Sequence, residues 1–503
     1  MTRALAFLFL LTAPVAADVV FLKDARIVAG RPVEQVEGGY NVKYENGVIF
    51  LPDALVREVV PTTADGEWIP KTPEEKAKAE KGLVPWQGEW VKKSKVKRLR
   101  KKFLEARALR IEQAQERQLW RNHAEVKTKR FIFRHTLPDE VFEEFKSLFE
   151  IYYKFFTKYW KIRPSRDFGT PIIHIYQNEE YFNQVSGAPS GVVGYYVPST
   201  RHLHFFYDRE RHHFTIDVML HEGNHMLTHM INEKMWYPWW LGEGMAEYFG
   251  ASEWDPEKKT MKVGGIQSAR LAVLKQDIQD ERWLKLEDLI KAQRMGAVEY
   301  SWTWSFCHFL LSHPKYAKGF KRFYVAIGKS SSIKSKPFAF GMRTVDGEVQ
   351  IAALKKMLRV KRIEKLQEEW YDYIKNVLLS DRNDINWGDA GWIMSLYGER
   401  KKARRLFKRA IEEGSKDAYV HYGYADLTSS DERKIKHAEL ATKYDPLHAR
   451  AWSLLGETKH RQEKFEEGMR LLKLSRELAP DDTQIWYVIE RAKEREEEAK
   501  NKE

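Results

Sequence analysis

The residues with most chemical promise lie in Val218-Met219-Leu220-His221-Glu222-Gly223-Asn224-His225-Met226-Leu227. On a helix, positions four apart share a face, so His221 and His225 can hold one metal ion between their imidazoles. Glu222 projects beside them, placed to take a proton from a water that the metal activates. Gly223 costs such a helix about 1 kcal/mol against alanine, so helix formation does not account for it. A catalytic zinc site needs a third protein ligand and an open position. The candidate is Glu243, in Trp239-Trp240-Leu241-Gly242-Glu243-Gly244-Met245-Ala246-Glu247-Tyr248-Phe249. Seventeen residues separate it from His225, room for one helix to end before Pro238 and a second to return. Glu247 lies one turn later on the same face, where it can accept a hydrogen bond from a liganding imidazole and fix its orientation. The competing reading is that both glutamates decorate a solvated face, and the flanking tryptophans argue against it. Cys307 is the sole cysteine, so any metal site falls to histidine and carboxylate ligands.

The elements that must carry these residues begin near Val126. Phe131-Ile132-Phe133 and Pro171 to Tyr176 read as strands, and Val192–Val197 with Leu203–Tyr207 as a hairpin around Pro198-Ser199-Thr200. Asp139 is a plausible N-cap for a helix with Phe142, Phe145, Phe149, Tyr152, Phe156 and Tyr159 on one face, a core stripe. His174, His202 and His204 fall in the strands and read singly as satisfied or exposed histidines. Tyr300-Ser301-Trp302-Thr303-Trp304-Ser305 opens a helix running to Leu311. Cys307 within it reads as a buried thiol rather than a nucleophile. Gly328-Lys329-Ser330 lacks the first glycine of a phosphate loop, Phe323 standing there.

His221-Glu222-Gly223-Asn224-His225 followed by Trp240-Leu241-Gly242-Glu243-Gly244-Met245-Ala246-Glu247 resembles the gluzincin zinc metallopeptidases. More narrowly, it resembles the peptidase MA-like proteins of secreted bacterial origin. The resemblance covers roughly residues 125–378 and is strongest across 217–250. It implies a thermolysin-like α+β catalytic domain, Zn2+ held by His221, His225 and Glu243, and Glu222 as general base. It also implies a sheet whose edge strand holds an extended peptide or protein substrate, and the Val192–Tyr207 hairpin stands where that strand belongs. By analogy with related aminopeptidases, Tyr300 is the candidate donor to the oxyanion, with a core tyrosine beside Trp302 and Trp304 as the competing reading. The interval from His225 to Glu243 is one residue shorter than in relatives of aminopeptidase N, which keeps Glu247 open as the alternative ligand. The G-A-M-E-N segment of the aminopeptidases is absent, which favours an endopeptidase, of unassigned specificity.

The rest of the 503-residue chain frames this centre and corresponds to about three domains in all. Residues 1–17 form a three-part signal peptide, with a positive start, an apolar run and Val15-Ala16-Ala17 before Asp18. The protein is therefore expected to be exported, to the periplasm or the outside of a bacterium, with no transmembrane segment after cleavage. Mean hydropathy of −0.58 excludes a multi-span membrane protein. Residues 18–60 read as a small β domain, punctuated by Gly38-Gly39 and Asn46-Gly47. Residues 61–124 read as a tryptophan-containing linker and a basic helix, which carries much of the +13 charge. No nucleic-acid-binding motif accompanies that run, so it reads as a solvated face and not a nucleic-acid surface.

Residues 384–503 read as all-α tetratricopeptide-like repeats. Trp452, Leu455-Gly456, Phe465 and Ala479-Pro480 fall at the 34-residue spacing, with less regular units before them. Such repeats present a surface for a protein partner, so a secreted scaffold with a structural or vestigial zinc site is the alternative to a peptidase.

Overall fold

The computed structural model describes residues 18–501 apart from 24–25, 61–69, 71, 87–88, 100, 103–104, 106–119, 163, 165–167, 190, 209–210, 256–257, 330–332, 381, 383–384 and 481. The expected signal peptide, the Trp68 part of the linker and most of the basic helix lie outside the described residues; 93–99 are helical. The fold is mixed α+β, with strands toward the N-terminus and a helical-repeat region toward the C-terminus. Its contacts define two compact units: Ala114–Ser415, and a second that combines residues up to Gln113 with those from Lys416 onward.

In the discontinuous unit, Asp18–Leu22 is the centre of a three-stranded antiparallel sheet between Ile27–Arg31 and Val56–Val60. Val33–Val36, Gly39–Tyr44 and Gly47–Pro52 make a meander. Tyr44 pairs with Gly47, leaving Glu45-Asn46 as a two-residue loop beside the Asn-Gly signal. Six short strands bury too little apolar surface to stand alone. Val20, Leu22, Val42, Ile49 and Leu51 share their core with Leu474, from the Phe465–Leu478 helix. Arg26 forms a forked pair with Asp445 at 2.9 and 3.1 Å, and Glu477 accepts the backbone N–H groups of Glu45 and Asn46. The strand module expected as a separate domain is thus built onto the last repeats. Those repeats are the helix pairs Ala418–Leu427 with Asp431–Tyr444 and Ala449–Arg461 with Phe465–Leu478, followed by Thr483–Lys500. Gly456 and Gly468 face each other across the second pair, where a Cβ on Gly456 would lie 2.9 Å from the Gly468 carbonyl oxygen.

In Ala114–Ser415 the strand order is Gly194–Val197, His202–Phe206, Ile172–Tyr176, Ile132–His135, Ala124–Lys127. The three central strands are parallel and both edges antiparallel. Alternation puts Phe133, Ile173, Ile175, Leu203 and Phe205 into the core, with Phe142, Phe145 and Phe149 of the Asp139–Trp160 helix. That helix is not capped by Asp139: Pro138 takes the N-cap position and Asp139 is the first helical residue. The repeat region, expected as one block from 384, divides near 415. Its first pair, Trp387–Leu396 with Arg400–Glu412, packs in this unit because Arg211 lies over the Trp392 ring at 3.4 Å and His213 meets Asp389 at 3.3 Å.

Candidate metal centre

The His212–His229 helix buries Val218, Met219, Leu220, Met226 and Leu227. Its unexplained glycine has a steric reason. A Cβ on Gly223 would stand 3.2 Å from Tyr152 and 3.3 Å from Phe149, so the helix lies tight on that aromatic stripe. Asn224, fully buried, donates its amide to the Tyr152 hydroxyl at 3.1 Å. With these two positions against the core, His221, Glu222 and His225 are left half-buried on the other side.

Pro238 precedes the Trp239–Gly250 helix, which carries both glutamates. Trp240, Leu241, Met245, Ala246 and Phe249 are buried, and the Trp240 indole N–H donates to Gln350 at 2.7 Å. A Cβ on Gly244 would lie 2.7 Å from both the Thr303 carbonyl oxygen and the Cys307 sulfur. That close crossing sets the helix against Ala297–Ser312, and it explains why a small buried thiol stands at Cys307. Burial raises the Cys307 pKa, keeping the thiol protonated.

The two helices bring three donor atoms together. His221 Nε2 and His225 Nε2 lie 3.2 and 3.4 Å from Glu243 Oε2, and 3.3 Å from each other. Two ligands of a tetrahedral zinc at 2.0–2.1 Å stand about 3.4 Å apart, so the donor set has the spacing that the ion requires. Glu247 occupies a different position, 3.3 Å from His221 Nδ1. Its other contacts are to Arg270, whose Nε and Nη2 donate at 2.9 and 2.6 Å. A carboxylate on Nδ1 directs Nε2 toward the other two donors.

The electrostatics follow from this packing. Burial alone would raise Glu243, but the charge of His225 and the hydrogen bonds of both imidazoles hold it well below the usual range. Burial also works against ionised Glu247, and Arg270 and His221 outweigh it, bringing it down to about 2. Burial opposes the His221 imidazolium; hydrogen bonds to Glu243 and Glu247 lift it to about 10. Among the described residues, Glu222 has no such hydrogen-bond partner. Burial raises its carboxyl above the ordinary range, with Glu243 and Glu247 adding to the rise and the imidazoles opposing it. A raised carboxyl beside the donors suits a group that must both take and give a proton.

Tyr300 stands with its ring centroid 6.3 Å from that of His221, its face covered by the Arg270 guanidinium at 5.0 Å. Burial, then Glu243, keeps its hydroxyl protonated, and it is hydrogen-bonded to Tyr397. The edge strand passes over the motif: a Cβ on Gly194 would be 2.9 Å from Val218 and 3.1 Å from Glu222. Sequence reasoning missed Arg270, Tyr397 and this glycine. A buried Glu247 demands a cation, which was the available signal for Arg270. Tyr397 had none, since it lies 97 positions from Tyr300 in the turn that ends the Trp387–Leu396 helix, a stretch read only as a repeat.

No family model matches the chain. The tetratricopeptide repeat-containing protein trd-1 of Caenorhabditis elegans is 34% identical over 90 residues, 18% of this chain and 11% of that protein. The chain thus matches only about a tenth of the length of this curated relative. The likeness supports a tetratricopeptide-like region and is compatible with a protein partner on it. Among the described residues, no helix is long and apolar enough to cross a membrane.

Proposed function

We propose that Ala114–Ser415 is a zinc-dependent peptidase of the gluzincin kind, in which His221, His225 and Glu243 hold the ion. The observation that carries this reading is the 3.2–3.4 Å triangle of their donor atoms with unpaired Glu222 beside it. Bound there, Zn2+ would supply an acidified water and polarise the scissile carbonyl. Glu222 takes the proton at its carboxylate and returns it to the departing amine. Glu247, held by Arg270, keeps the His221 ring in place. Tyr300, neutral at working pH, offers its O–H to the developing oxyanion after leaving Tyr397. The outer edge of Gly194–Val197 pairs with the backbone of an extended peptide, which gives affinity with little demand on sequence.

The test is the zinc content of the purified chain together with cleavage of an unbiased peptide library. About one zinc per chain and activity lost in Glu222→Gln are expected. A metal-free chain under zinc-replete conditions, or a Glu222→Gln variant as active as the parent, removes the proposal.

A second reading, a tetratricopeptide-type scaffold, is favoured by the trd-1 likeness. Capture of one defined protein by the full chain, with no proteolysis, supports it. The full chain is required because residues 416–501 share their core with the N-terminal strands. Export is part of the same proposal, and N-terminal sequencing of the mature protein that starts at Asp18 would support it.

A further inference from the structure

We propose that His174, His202 and His204 form a second metal site, for a divalent cation that prefers imidazole, Zn2+ or Cu2+. These histidines are brought together by strand register. Parallel pairing sets His174 opposite His204 and Ile172 opposite His202, so all three imidazoles project from one face of the sheet. That face is the one opposite the Phe133, Ile173 and Leu203 core. One nitrogen from each ring lies within 4.8 Å of the others. Both ring nitrogens of His174 are buried with no hydrogen-bond partner among the described residues, in a residue only 6% exposed. An orphaned buried imidazole is costly, and a coordinated cation satisfies it.

The surroundings suit a ligand role. The Tyr176 hydroxyl lies 2.9 Å from His204 Nδ1, which fixes that ring and leaves Nε2 to coordinate. Trp120 stacks on Tyr176 at 4.2 Å and Tyr195 on His204 at 4.8 Å, walling the cluster with aromatic rings. Arg134 faces it from the adjacent strand, with its charge engaged by Glu125 at 3.0 Å. His123 faces it too, bound through Nδ1 to the Trp120 carbonyl. The rings of His174 and His204 stack in parallel at 4.3 Å. Closing on an ion brings their nitrogens to about 3.4 Å by turning the rings about χ2, a broad torsion for histidine. Imidazole-only donors with no carboxylate select Zn2+ or Cu2+ over Mg2+ or Ca2+.

The experiment uses the full chain carrying His221→Ala and His225→Ala, so that the Glu222 centre holds no metal. Loaded with ZnCl2 or CuCl2 and dialysed, this chain is expected to retain one equivalent by elemental analysis. Adding His202→Ala should weaken retention at least tenfold, with little change in the thermal unfolding of the metal-free chain. If His202→Ala does not fold, Cu2+ electron paramagnetic resonance of the double variant decides, with nitrogen couplings expected. Unchanged retention with His202→Ala, no stoichiometric metal in the double variant, or a Cu2+ spectrum without nitrogen couplings overturns the assignment. None of these outcomes depends on peptidase activity.

Discussion

Two histidine groups in one unit show how neighbours decide what an imidazole becomes. His221 and His225 face Glu243, and His221 also meets Glu247, so His221 is lifted to about 10. Among the described residues, His174 and His204 face other rings and no carboxylate, and are held at about 2 and 4. The first group is anchored by a chain of charge, from Arg270 through Glu247 to His221. The second is anchored by stacking and by one tyrosine hydroxyl. Anionic neighbours compensate a bound cation's charge; neutral neighbours leave selection to ligand type.

The largest effect expected is that of Glu222→Gln, which should lower peptide cleavage by about 10²–10⁴-fold while zinc content stays level. Equal metal content at the strand histidines in the same variant would show that the two groups are independent. Next, Glu247→Gln or Arg270→Met should weaken zinc binding at the motif about 10–100-fold, read by competition with a chelating dye. No change there would mean that the charge chain is only a packing device.

A third prediction turns to a pair of imidazoles in the repeats. His421 and His437 meet Nδ1 to Nδ1 at 2.9 Å in the repeats, and burial, then His421, lowers His437 to about 4. A depressed folded pKa gives stability that is present above the unfolded value of about 6.5 and lost as pH falls from there through about 4. The loss should be about 1–2 kcal/mol after allowing for solvent screening. His437→Gln should flatten that part of a urea-melt series against pH; an unchanged slope would place the proton elsewhere. The smallest effect is that of Gly223→Ala, where about 1 kcal/mol of helix propensity opposes the tight contact with Tyr152 and Phe149. The net shift in stability should stay within about 1 kcal/mol by thermal melt.

The same contrast explains what could be read from sequence. Four-residue spacing on a helix is local, so His221, Glu222 and His225 stand out in the chain, and Glu243 with Glu247 follow on the next helix. The strand histidines meet only through the parallel pairing of Ile172–Tyr176 with His202–Phe206, which no local pattern encodes. Arg270, on the Ser268–Gln279 helix, and Tyr397, in the turn after Trp387–Leu396, reach the motif from separate elements for the same reason. Strands, the hairpin and the repeat helices were legible because their periodicity is short-range. The sharing of one core by the first strands and the last repeats was not, since the Arg26–Asp445 pair spans 419 positions.

That span has a consequence for how the chain acquires its structure. The opening strands are synthesised long before Leu474 and Glu477, which complete their core and hold their turn. The unit formed by the two ends therefore waits for the whole of Ala114–Ser415 to be made, and the Arg26–Asp445 pair alone closes a span of 419 positions. Such non-local closure is slow, and a chain caught before it carries unpaired strand edges. Losing a few dozen residues near the C-terminus would thus injure the N-terminal sheets directly, while leaving intact every contact that holds the histidine motif.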